Sequence, residues 1–168
     1  MIRIMGATLS ALLLVLTGCS NPSKPAAKTA QAEAPRAAAV NARELHCLAL
    51  SMYWEAKAEG PRGMQAVGQV VMNRVAHERF PNSACQVVYD GGEKPPCQFS
   101  WYCDGKSDQP TEAANWAEAQ RIARLLLTDP PADITRGGLF FHATWMKNPW
   151  RIPRTKTVTV GKHVFYKL

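Results

Sequence analysis

The sequence predicts an α+β domain, with helices first and a small antiparallel sheet or hairpin at the C-terminal end. Three observations lead there. Apolar residues recur at three- and four-residue steps between about residues 43 and 79 and again after 111. A stretch rich in Gly, Pro, Asp and Cys interrupts them. Short β-branched and aromatic segments follow near the C-terminus.

The first helix is expected over Arg43–Glu59, where Leu45, Leu48, Ala49, Met52, Tyr53 and Ala56 form one apolar stripe. Gly60-Pro61 is expected to stop it. A second helix should run from about Arg62 to Arg79, with Met64, Val67, Val71 and Val75 inward. Gly68 leaves room there for another element to approach, and Pro81 and Asn82 close the segment. Residues Cys85–Pro110 keep no period and read as a long ordered loop. A third helix opens at Thr111 or a neighbour and carries Trp116, Ala119, Ile122, Ala123 and Leu126 up to Asp129-Pro130-Pro131. Beyond it, Gly138–Ala143 resembles a strand. Thr157–Val160 and His163–Tyr166 flank Gly161-Lys162, a good hairpin turn.

The N-terminus has another purpose. Residues 1–18 hold Arg3, then the apolar run Leu9–Leu16, then Leu16-Thr17-Gly18-Cys19. That is the pattern of a lipoprotein signal, in which small residues admit the peptidase and the Cys19 thiol takes the lipid. An ordinary secretory signal with an incidental cysteine is the alternative. Residues 19–42 are then the lipidated cysteine and a flexible tether of Pro, Ala, Lys, Gln and Ser, too poor in apolar area to fold. Residues 43–168 suffice for one compact domain. The expected attachment is to a membrane through the lipid, in the cell envelope. Ser20 behind Cys19 points to the outer membrane, facing the periplasm.

The formal net charge is +7. Its basic residues are scattered singly, without the dense run that tracks a phosphate backbone, so nucleic acid is not an expected partner and an acidic wall polymer is. Besides Cys19 the chain holds Cys47, Cys85, Cys97 and Cys103. In an oxidising compartment an even number suggests two disulfides, and four cysteines allow three pairings. Cys97–Cys103 with Cys47–Cys85 is preferred. A four-cysteine zinc site is the alternative, against which stands the lack of any C-x2-C spacing. No other metal spacing and no glycine-rich phosphate loop occurs, and no cofactor is expected.

Glu55 lies roughly 80° from the centre of the first helix's apolar stripe. A carboxylate on the rim of a buried face is partly desolvated, which raises its pKa and fits it for proton donation. A solvated helix glutamate has the same signature, and periodicity alone does not separate the two.

The stretch from Leu48 to Val75, with Glu55-Ala-Lys-Ala-Glu59 and Gln65-Ala-Val-Gly-Gln-Val-Val-Met-Asn-Arg-Val75, resembles the core signature of the spore-cortex-lytic (SleB-type) cell wall hydrolases. Cys97-Gln-Phe-Ser-Trp101, Asp104-Gly105, Phe141-His-Ala143, Pro149-Trp150 and Gly161-Lys-His-Val-Phe-Tyr166 follow in the same order. The resemblance spans about Leu45 to the C-terminus. It implies a lysozyme-like fold, peptidoglycan glycan strands as partner, and Glu55 as the catalytic acid. Lys57 and Ala58 stand where the family pattern has Arg and Gly.

Substrate-binding candidates are Glu59, Asn73, Gln98, Ser100, Trp101 and His142. Four of them have a plainer reading: Glu59 as a solvated helix-end charge, Asn73 as a partner for buried backbone, Trp101 as core, and His142 as a structural histidine. The implied chemistry is lytic transglycosylation giving 1,6-anhydro-N-acetylmuramic acid ends, by a monomer. A muramidase-type hydrolase is the alternative, needing a second carboxylate for which Asp90, Asp104 and Asp108 are available. A non-catalytic peptidoglycan-binding lipoprotein is the other.

Overall fold

The computed structural model describes residues 40–168. The signal, Cys19 and most of the tether lie outside the described residues.

Helix α1 spans Ala42–Ala56, capped by Asn41, whose side chain accepts from the amides of Arg43 and Glu44 at 2.9 and 3.4 Å. A single 3₁₀ turn, Lys57–Glu59, follows, and α2 runs Gly60–Val75. The sequence placed the first helix's end at Glu59 and the second's start near Arg62. Instead Gly60, at φ +68°, makes the corner, and Pro61 sits in the first turn of α2, where its missing N–H leaves no bond unmade. Helix α2 also stops four residues before the expected Arg79. There the amide of His77 turns back to Arg74 O (2.9 Å) and the His77 ring accepts from Arg79 N (3.2 Å).

The expected loop contains structure of its own: α3, Ala84–Val88, and a 3₁₀ turn at Ser100–Cys103. Five residues are too few to show a helical period, although Ser83 caps α3 by accepting from Gln86 N at 3.3 Å. Helix α4 covers Ala113–Thr128. The two residues before it are held from another helix: the Tyr53 hydroxyl accepts from Thr111 N and Glu112 N, both at 3.0 Å. Strands β1 (Phe140–Ala143), β2 (Thr155–Val160) and β3 (His163–Lys167) form one antiparallel sheet in the order β1-β3-β2. Ala143 and Val160 both pair with His163, and the β2–β3 register is irregular between Lys156 and Val158. The disulfides are Cys47–Cys85, joining α1 to α3, and Cys97–Cys103.

Helix α2 is the shared wall of two cores. Met64, Val67 and Val71 join Leu48, Met52, Tyr53, Ile122 and Leu126 in the helical core, while Ala66 and Val70 pack with Val160 and Phe165 under the sheet. The first helix's predicted stripe is buried throughout. Gly68 permits the close crossing: a Cβ there would lie 2.5 Å from Leu126 Cδ1 and 2.6 Å from Met52 Sδ. The polar residues of α2 hold the chain that leads into the sheet. Gln69 Nε2 donates to Ala132 O (3.0 Å) and its Oε1 accepts from Ile134 N (2.9 Å). Asn73 Nδ2 donates to Asp133 Oδ2, Thr135 Oγ1 and Gly138 O, at 3.0, 3.2 and 3.0 Å. No described helix is long and apolar enough to cross a membrane.

Gly68→Val is expected to lower stability by about 2 kcal/mol or more through overpacking, read by urea unfolding against the wild type.

Candidate active site

Glu55 occupies the last turn of α1 and lines a cleft of about 670 Å³. The cleft's other walls come from the Cys97–Ser100 segment, β1, the chain from Trp145 to Trp150, and the hairpin turn at Lys162-His163. A larger hollow of about 1110 Å³, lined by Arg43, Phe80, Gln86 and Tyr89 among others, includes Cys85 and Asp90 but neither Glu55 nor any of the predicted substrate-binding residues. Volume and chemistry therefore point to different places, and the acid marks the site.

Burial pushes the Glu55 carboxyl up to about 7 from an ordinary 4.5, against the nearby positive charge of Arg74, which pulls it down. The helix C-terminus, with its partial negative charge, acts in the same direction as burial. Glu55 belongs to none of the ion pairs among the described residues. An acid of this strength can hold its proton near neutrality and release it to a substrate oxygen in the cleft.

The remaining predicted residues divide. Gln98, Ser100 and His142 line the cleft with Glu55. Both ring nitrogens of His142 are engaged, Nδ1 with Ala143 O (2.9 Å) and Nε2 with Tyr166 Oη (3.0 Å), so it offers the cleft a ring face. Asn73 is held by the 133–138 segment and does not reach the cleft. Trp101 is 8% exposed, packs against Phe99 and Tyr102 in the helical core, and does not line the cleft either.

Glu59 lines the cleft but is not the solvated helix-end charge of the plainer reading. It is buried at the cleft's edge, its Oε2 accepting from Lys162 N at 2.7 Å and its Oε1 lying 2.7 Å from His163 Nδ1. Burial lowers the His163 pKa, opposed by the Glu59 charge. Gly161, at φ +55°, is doubly required, because a Cβ there would run into the Glu59 carboxylate.

The alternative second acids lie elsewhere. Asp104 Oδ1 accepts from Lys106 N (2.9 Å), the Asp108 carbonyl accepts from Trp54 Nε1 (3.1 Å), and Asp90 belongs to the larger hollow. Lys57 also points away from the site. Its Nζ pairs with Glu112 Oε1 at 2.6 Å and lies over the Tyr53 and Trp54 rings at 4.8 and 5.0 Å. The departure at Lys57 therefore fastens α1 to the start of α4. Ala58 does line the cleft, where its side chain is small and apolar.

Sequence reasoning passed over Arg74, which lines the cleft beside Glu55. A signal was present: Arg74 stands on the Val67–Val71 stripe, and a charge on an apolar stripe is seldom solvated. It also passed over Trp145, which stands 73% exposed beside the cleft with Met146.

Residues 58–166 match the family model described as Cell Wall Hydrolase, beginning just after Glu55. The spore cortex-lytic enzyme of Bacillus subtilis is 29% identical over 123 residues, which are 73% of this chain and 37% of that protein. The spore cortex-lytic enzyme of Oceanobacillus iheyensis is 24% identical over 153 residues, 89% of this chain and 50% of its own. The chain thus spans half or less of the length of these relatives. Among solved structures, the catalytic domain of the Bacillus anthracis germination-specific lytic transglycosylase SleB superposes with TM-score 0.61 at 24% identity, covering 77% of this chain and 98% of that one. The Bacillus cereus SleB catalytic domain gives 0.57 at 23%, covering 76% and 91%. These likenesses establish the lysozyme-like α+β fold expected from the sequence.

A raised carboxyl pKa costs stability at high pH. The folded state keeps a proton that the unfolded chain has released, so this contribution is complete below pH 4.5 and lost as pH rises through about 7. Glu55→Gln is therefore expected to be more stable than the wild type at pH 8, by about 2 kcal/mol allowing for partial exposure, and to lose that advantage at pH 4 in urea unfolding.

Proposed function

We propose that this chain, which belongs to the cell wall hydrolase family, cleaves the glycan strands of peptidoglycan as a lytic transglycosylase, with Glu55 as the acid and then the base. Protonated Glu55 gives its proton to the bridging oxygen as the bond from that oxygen to C1 of N-acetylmuramic acid breaks. The carboxylate left behind accepts the proton of the C6 hydroxyl as its oxygen bonds to C1. The sugar ends as a 1,6-anhydro ring, no water is consumed, and Glu55 regains its proton.

The observation that carries this reading is the lack of a free second carboxylate. Among the described residues the cleft's only other carboxylate is Glu59, with one oxygen accepting from Lys162 N and the other against His163. An inverting hydrolase would need such a group to activate water. Gln98 and Ser100 are proposed to bind the acetamido and hydroxyl groups of the sugars, with the His142 ring face beside them. The lipid anchor at Cys19, the outer-membrane periplasmic address and the monomeric state belong to the same proposal, supported by the signal pattern.

Digestion of purified peptidoglycan followed by mass spectrometry is expected to give muropeptides one water lighter than hydrolytic products. Products at full hydrated mass would overturn transglycosylation, and no products at all would favour a binding lipoprotein. In zymograms Glu55→Gln is expected to clear nothing; clearing equal to the wild type would remove Glu55 from its role. Because the active form is protonated and its carboxyl titrates near 7, the rate of wall clearing is expected to fall as pH rises through about 7.

A further inference from the structure

Arg74 is 2% exposed, yet it forms no ion pair with any carboxylate among the described residues. Its Nε donates to Leu139 O at 2.7 Å, which fixes the guanidinium plane where the chain enters β1. The rings of Phe80, Phe99 and Phe140 surround it, with centroids 5.4, 5.8 and 5.6 Å from Cζ. Nη1 has no hydrogen-bond partner. Buried guanidinium groups are ordinarily paired, because an isolated charge away from water is costly and aromatic faces compensate only in part. An unpaired one in the wall that also carries the acid calls for a function.

We propose that Arg74 is a positioning residue for Glu55: rigidly held and without a partner of its own, its guanidinium supplies the countercharge for the carboxylate that forms when Glu55 releases its proton. The proposal rests on Glu55 being the acid. While Glu55 holds its proton, the pair carries one uncompensated positive charge. Once the proton has passed to the leaving oxygen, the pair is neutral overall. The attraction is thus present after proton transfer and absent before it, which is the condition for an interaction to speed the step rather than only tighten binding. Since the two groups do not form an ion pair at rest, the carboxylate remains free to take the C6 hydroxyl proton.

The other charged or titratable groups nearby are already engaged or lie outside the cleft. Glu59 and His163 face each other, His142 is bonded to Tyr166, and Lys162 is exposed on the hairpin. Arg154 stacks over Phe140 and Trp150 at 3.9 and 4.6 Å. Asp90 is exposed and does not line the cleft, and its charge favours the protonated form of Arg74. Burial still lowers the Arg74 pKa to about 10, so it remains charged through the neutral range.

The test follows the Glu55 carboxyl by carbon-13 NMR titration in the full chain, alongside the pH profile of peptidoglycan clearing. Arg74→Lys keeps the charge and is expected to leave the Glu55 titration within about half a unit of wild type. Arg74→Gln removes the charge and is expected to raise it by about one unit or more, with clearing at least tenfold slower and its alkaline limb displaced upward by the same amount. A slower Arg74→Gln with an unmoved Glu55 titration would make Arg74 merely structural, and wild-type clearing would dismiss it altogether. Should that variant not fold, Arg74→Met removes the same charge while keeping an apolar stem among the Phe rings, and an unmoved Glu55 titration there would overturn the proposal. The NMR readout needs no turnover, so failure of the transglycosylase reading and failure of this one are told apart.

Discussion

The carboxylate of Glu59 sits at the corner where α1 gives way to α2, and it reaches across to the turn between β2 and β3. It accepts from the Lys162 amide and lies against the His163 ring, both at 2.7 Å, in a place nearly closed to water. A charge-assisted bond of this kind is short, directional and costly to break once desolvated. Through it the helical half of the domain fixes the position of the sheet, and the space between the two is the cleft. Gly161 belongs to the same contact, since no side chain fits between the turn and the carboxylate. Glu55, one helical turn earlier, takes its surroundings from that clamp.

Two further constraints shape the same space. The polar residues of α2 direct the chain after α4: Gln69 and Asn73 bind residues 132–138, and Arg74 binds Leu139 at the threshold of β1. The Cys97–Cys103 disulfide shortens the wandering of the segment that brings Gln98 and Ser100 to the cleft, while Cys47–Cys85 secures α3 against α1. The site is thus built from one helix end, one cross-linked loop and one strand edge. Each is fixed by a bond formed elsewhere, and the acid is left without an ionic partner in an apolar setting. That arrangement destabilises the folded chain at high pH, because burial keeps on Glu55 a proton that the unfolded chain gives up.

The helices and the hairpin were legible because periodicity and turn chemistry are local. The apolar stripe of α1 and the Gly161-Lys162 turn required nothing beyond neighbours in sequence. What was illegible depended on distant partners. Pro61 looked like a terminator and is instead part of a helix start, because the 3₁₀ turn absorbs the change of direction. Glu59 looked like a free helix-end charge because its partners lie about a hundred residues away. Trp101 read equally well as platform and as core; burial decides for core. Asn73 and Arg74 are adjacent, and only their tertiary neighbours separate a loop anchor from a cleft residue.

The bond from Lys162 to Glu59 joins residues 103 apart. A polypeptide emerging N-terminus first has α1, α2 and α4 available to pack long before β3 exists. Until that strand arrives, the far wall of the cleft is missing and Glu55 faces water, where a glutamic acid is ionised near neutrality and a poor proton donor. Under the proposed function, the wall that shields Glu55 is therefore completed only once Lys162 and His163 have been added. Removal of β3 would leave the residues of the helical core in place and open the cleft on that side.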